Sequence, residues 1–162
     1  YNTYKCYRLL EDHKLKYLIL LLFLPTFATA EQFFSVQDRL DGLLTDAQES
    51  CADDGGDLKL LGNEIVRYDF ENDGVTDLTI LNEHEYKCSS SASLYQGTAG
   101  AVVHLMTDKD YFYGYTRQFK VFTAFKNKQV ILLDLHGSSC DEAGYISCFQ
   151  AITLNDGLFI YQ

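Results

Sequence analysis

Between residues 33 and 51, apolar side chains recur every three or four positions: Phe33, Val36, Leu40, Leu43, Leu44, Ala47 and Cys51. After Gly55-Gly56 this rhythm stops and a period of two takes over. The first spacing draws one stripe along a helix, and the second sends alternate residues to opposite faces of a strand. One apolar helix stripe needs one face of a sheet to cover it. The expected fold class is therefore α+β, with an N-terminal helix packed on a mostly antiparallel β-sheet of six or seven strands. Ser35 is placed to cap the helix, and Asp38 in the first turn suits the positive end of the helix dipole. The strands are expected at residues 64–70, 77–82, 101–107, 111–125, 129–135, 147–154 and 158–161. The hairpin connections fall at Asp108-Lys109-Asp110, Lys126-Asn127-Lys128 and Asn155-Asp156-Gly157.

The thirty residues ahead of this pattern have a different character. Lys5, Arg8, Lys14 and Lys16 precede an apolar run from Tyr17 to Leu24, which is followed by Pro25 and then by Ala28-Thr29-Ala30. A basic region, a short apolar region and a small-residue site describe a secretory signal peptide, expected to be cleaved after Ala30. The competing reading is an uncleaved anchor, but the run is shorter than the roughly 20 residues that span a bilayer. The chain opens on Tyr1, so its native start is expected upstream. Residues 31–162 are then a single secreted domain, periplasmic or extracellular. This segment has no proline and carries nine basic against 21 acidic residues, a net charge of −12. So few cations exclude nucleic acid as a partner and argue against an electrostatic grip on anionic membranes, and no stable membrane insertion is expected once the signal is cleaved.

Cys6 leaves with the signal, and Cys51, Cys88, Cys140 and Cys148 remain. An even count in an exported chain points to two disulfides. Three pairings are open. The short separation of Cys140 from Cys148 favours 140–148, with 51–88 as the second bridge.

The strongest chemical signal is Asp69-Phe70-Glu71-Asn72-Asp73-Gly74-Val75-Thr76-Asp77, an acidic loop between two expected strands. Acidic oxygens fall at loop positions 1, 3, 5 and 9, and Gly74 at position 6 permits a sharp turn. Val75 at position 7 can offer its carbonyl. A hard cation such as Ca2+ takes six to eight such oxygens. Position 12 is Ile80, where an EF-hand would carry a bidentate Glu, so this is not an EF-hand. No Lys or Arg lies between residues 68 and 86 to offset the charge. Without an ion, the segment would be a solvated acidic turn.

The loop resembles the D-x-[DN]-x-D-G-x-x-D calcium loop of FG-GAP and VCBS-type proteins, which joins two β-strands and continues as Asp77-Leu78-Thr79-Ile80 does here. That resemblance implies Asp69, Glu71, Asp73 and Asp77 as side-chain ligands, Val75 as a carbonyl ligand, and structural Ca2+ as the cofactor. Glu71 departs from the usual Asp or Asn, and Asn72 stands where Gly is common. The chain also resembles small exported bacterial domains of unknown function. Those domains share an early helical Cys, one such loop, a Cys after the next strand and a Leu-His-Gly-x-x-Cys segment. The counterparts here are Cys51, residues 69–78, Cys88 and residues 135–140.

Other constellations are weaker. His136, Ser138, Cys140 and Asp141 suggest a Cys–His nucleophile, which would need a free thiolate. His84 with Glu83, Glu85 or Cys88 suggests zinc, which would need a helical i, i+4 spacing at what looks like a strand end. His104 shares a face with Val102 and Met106 and is expected to be partly buried. The aromatic run from Tyr111 to Phe125 puts Tyr111, Tyr113 and Tyr115 on one face, a possible interaction surface. The expected function is an exported non-enzymatic binding module for an unknown protein or envelope ligand. One alternative is an envelope inhibitor or immunity protein directed at a basic secreted enzyme or toxin. The second is a hydrolase of unknown substrate.

Overall fold

The computed structural model describes residues 35–124 and 128–162. The expected signal peptide, Phe33, Phe125 and most of the Lys126-Asn127-Lys128 connection lie outside the described residues. Helix α1 (Val36–Asp53) opens on a reciprocal cap. The Ser35 hydroxyl accepts the Asp38 amide at 3.1 Å, and the Asp38 carboxylate accepts the Ser35 amide at 3.3 Å. Nine strands follow: β1 (Leu58–Leu60), β2 (Ile65–Tyr68), β3 (Leu78–Asn82), β4 (Tyr86–Cys88), β5 (Ala101–Met106), β6 (Tyr111–Thr123), β7 (Gln129–His136), β8 (Ser147–Asn155) and β9 (Leu158–Tyr161). Seven of them form one antiparallel sheet in the order β2-β3-β5-β6-β7-β8-β9, and β1 and β4 pair as a separate ribbon. The ribbon has no counterpart among the expected strands, because three residues are too few to display a period of two.

The large sheet rolls on itself. In a flat sheet β6 and β9 would lie about 14 Å apart, three strand spacings. Yet the rings of Phe112 and Tyr161 have centroids 5.9 Å apart. The β5–β6 turn also reaches the β8–β9 turn. Thr107 Oγ1 donates to the Gly157 carbonyl at 2.6 Å, and the Phe159 amide donates to Asp110 at 3.0 Å. The rolled face encloses the main core, which includes Leu78, Ile80, Val103, Leu105, Ile131, Leu133, Ile152 and Phe159. Phe70, from the loop between β2 and β3, closes this core with only 6% of its surface exposed.

The outer face is covered only in part. Leu40 and Ala47 of α1 pack with Leu81, Tyr86 and Met106 over the β2–β6 side. A bulge between Thr116 and Gln118 of β6 shifts the alternation. It turns Phe119 and Val121 inward to the main core, where unbroken alternation from Phe112 would have turned them outward. Both disulfides form as favoured, Cys51–Cys88 and Cys140–Cys148. The first ties the last turn of α1 to β4. On a loop-closure model its 37-residue separation removes about 4 kcal/mol of unfolded-chain entropy. Among the described residues no helix is long and apolar enough to cross a membrane.

Truncating the core plug tests this architecture. Phe70→Ala should cost about 3–5 kcal/mol in urea unfolding. A cost no larger than that of an exposed-site substitution would mean that the β2–β3 loop does not close the core.

Candidate metal site

Strand β2 stops at Tyr68, two residues before the expected end, because Asp69 turns its side chain back on the chain. Its two carboxylate oxygens accept the Asp73 amide at 3.0 Å and the Gly74 amide at 2.8 Å. Asp73 accepts the Val75 amide at 2.8 Å. Asp77 Oδ2 accepts two amides, from Phe70 at 2.7 Å and Glu71 at 2.8 Å. The loop is re-joined to the sheet by the Asp77 amide, which donates to the Tyr68 carbonyl at 3.0 Å. Asn72 and Gly74 sit at φ 61° and 90°, the left-handed region that Gly and Asn tolerate best.

These bonds gather three carboxylates. One oxygen each from Asp69, Asp73 and Asp77 lies within 4.8 Å of the others. Two oxygens bound to one Ca2+ at about 2.4 Å can be no more than about 4.8 Å apart, so the three fit within a single coordination sphere. Asp77 Oδ1 and Asp73 Oδ2 accept no hydrogen bond among the described residues and keep their lone pairs for it, while each Asp69 oxygen accepts one amide and keeps a second lone pair. Among those residues none of the three forms an ion pair. Glu71 is exposed and lies outside the cluster, and the Val75 side chain is exposed while its amide serves Asp73.

The other candidates have local partners. Cys140 is bridged to Cys148, so its sulfur is not a free thiolate, and His136 Nδ1 meets the Ser138 hydroxyl at 2.7 Å. His84 sits on a 3-10 turn (Glu83–Glu85) and donates through Nε2 to the Thr116 carbonyl at 2.7 Å, while Cys88 is bridged to Cys51. His104 is buried, with Nε2 3.0 Å from Glu83 and Nδ1 2.7 Å from the Tyr111 hydroxyl. This part-buried Glu83–His104–Tyr111 chain gave no sequence signal, because its members come from three separate segments. Arg39 of α1 covers the Tyr111 ring at 4.3 Å, so Tyr111 is only half-exposed. Its neighbours Tyr113 and Tyr115 are 63% and 58% exposed. Burial raises the Tyr111 phenol above the ordinary tyrosine range, opposed by Arg39. Burial, with Glu83 and Glu64 nearby, raises that of Tyr86 further.

No family model matches the chain, and no curated protein or solved structure matches it.

The two kinds of carboxylate in the loop should separate on mutation. Without divalent metal, Asp77→Ala should cost about 2–3 kcal/mol, because two amides lose a charged acceptor. Asp73→Ala, which frees one exposed amide, should cost under about 1 kcal/mol. Denaturant unfolding in chelator measures both, and equal costs would contradict the division of labour.

Proposed function

We propose that this protein is an exported, non-enzymatic binding module whose β2–β3 loop holds a structural Ca2+ ion. The observation that carries the reading is the convergence of Asp69, Asp73 and Asp77, three carboxylates within 4.8 Å with no ion-pair partner among the described residues. Each such pair repels by roughly 1 kcal/mol in a water-like dielectric and by about 3 kcal/mol at an effective dielectric of 20. A divalent cation converts that repulsion into attraction. Glu71 and the Val75 carbonyl are the additional donors that the FG-GAP and VCBS resemblance suggests. An ion held here would lock the loop and the Phe70 plug onto the core, a structural role. Export is supported by the basic-then-apolar pattern of residues 1–30 and by the two disulfides.

A second reading, an envelope inhibitor or immunity protein for a basic secreted enzyme, is favoured by charge. Residues 31–162 carry net −12, which would steer a cationic partner toward the surface. The exposed Tyr113 and Tyr115 supply the side-chain type enriched at such interfaces.

Thermal melting of the purified, oxidised protein tests the calcium reading. An ion that binds only the folded state stabilises by mass action. With a dissociation constant of about 0.1–1 mM, 10 mM Ca2+ should contribute about 1.4–2.7 kcal/mol and raise the midpoint by several degrees over chelator. Asp73→Ala should abolish the rise. An identical midpoint in Ca2+ and chelator would overturn the proposal.

A further inference from the structure

The outer face of the sheet beyond α1 holds a pocket built around a buried acid. Asp134 of β7 pairs in register with Gln118 of β6 on one side and Phe149 of β8 on the other. Although it lies on the outer face, it is only 8% exposed. Its Oδ2 accepts the Gln118 side-chain amide (Nε2) at a long 3.4 Å, and its Oδ1 has no hydrogen-bond partner among the described residues. A cavity of about 230 Å3 opens beside it, lined by Gln118, Phe119, Lys120, Leu132, Asp134 and Phe149. The two cations nearest in sequence register do not pair with it. Arg117 is engaged by the Ser147 hydroxyl at 3.1 Å and by the Gly144 carbonyl, and Lys120 is exposed and makes no ion pair.

Withdrawing a carboxylate oxygen from water without a partner is costly, and a charged donor relieves that cost most fully. The lining is mixed, with Phe119, Leu132 and Phe149 supplying apolar surface beside Gln118, Lys120 and the acid, and Phe149 is 60% exposed at the rim, where its ring can face a cation. The acidic balance of the chain enriches cations near its surface. We infer that this pocket binds an organic cation, a primary ammonium or guanidinium on an apolar stem, with Asp134 as counter-charge and Leu132 and Phe149 against the stem. The chemistry is that of a free alkylamine or of a lysine or arginine side chain presented by a partner. The inference is independent of the calcium loop, which lies at the β2–β3 connection.

Two-dimensional amide NMR titration of the purified protein provides the test. The probes are n-pentylammonium, n-butylguanidinium, the neutral control n-pentanol, and an end-capped Gly-Lys-Gly peptide. Both cations should give saturable shifts centred on Leu132, Asp134 and Phe149, with pentanol at least about tenfold weaker. Asp134→Asn should weaken the cations by about tenfold or more, and Phe149→Ala, at an exposed site, should weaken them while the fold is retained. A peptide that binds more tightly than the free amine assigns the site to a partner's side chain. Equal affinities assign it to free amines. Pentanol binding as tightly as pentylammonium would overturn the inference. So would shifts confined to residues 69–77, or unchanged binding in both variants. Binding that appears only in Lys120→Ala would also overturn it, since the protein's own lysine would then occupy the pocket.

Discussion

Asp77 Oδ2 takes two amide hydrogens at once, from Phe70 and from Glu71, and the rest of the structure is arranged around that contact. It brings the two ends of a nine-residue loop together. It also holds the backbone of Phe70, whose ring is buried in the main core. A second tie, from the Gln129 side-chain amide to the Asp69 carbonyl at 3.0 Å, joins the loop to the start of β7. In a flat sheet β2 and β7 would lie about 19 Å apart, so this bond can form only because the sheet curls. Core closure, sheet curvature and the gathering of three acids are therefore parts of one arrangement. The charge that makes the loop a metal candidate is the same charge that makes its internal bonds strong.

The two faces of the sheet solve different problems. The inner face is apolar on nearly every strand and encloses itself by rolling, so it needs no second layer. The outer face has a helix and a short ribbon for only half of its width. There the Cys51–Cys88 bridge holds helix and ribbon together, and Tyr95 reaches back from the following loop to the Ala47 carbonyl. The other half, across β6, β7 and β8, carries Phe122, Phe149 and the Asp134 pocket. A buried acid on that half is a poor choice for packing alone, because an apolar residue would bury at lower cost.

The period change after Gly55-Gly56 made the α+β class and all seven strands of the large sheet legible, because alternation over four or more residues reports a half-buried strand directly. The short separation of Cys140 from Cys148 favoured the disulfide pairing that forms, although three pairings were open to the sequence. The carboxylates of the loop were legible as a pattern, but their division of labour was not. Asp77 bonds amides seven and six positions upstream, and only the folded turn shows which oxygens remain for a ligand. Three features lay beyond local pattern. The β6 bulge changes which aromatics face inward, and Arg117 at that step carries no signature of it. The β1–β4 ribbon exists because the Cys51–Cys88 bridge and the buried Tyr86 and Leu58 contacts hold it, not because Lys59 or Lys87 prefers a strand. Asp134 reads as an ordinary polar residue in an alternating strand. Its two register neighbours, Gln118 and Phe149, come from different strands, so its burial has no local pattern.

Carboxylate–amide bonds clamp the β2–β3 loop onto the core and leave oxygens that a cation could take. Amide hydrogen exchange at single-residue resolution, in chelator and then in millimolar Ca2+, tests this most directly. The Phe70 and Glu71 amides should be protected by the Asp77 carboxylate even in chelator. Ca2+ should slow exchange at Asp73, Gly74 and Val75 while leaving amides of β8 unchanged. Free exchange at Phe70 and Glu71, with no response to Ca2+ anywhere in the loop, would contradict both halves of the claim.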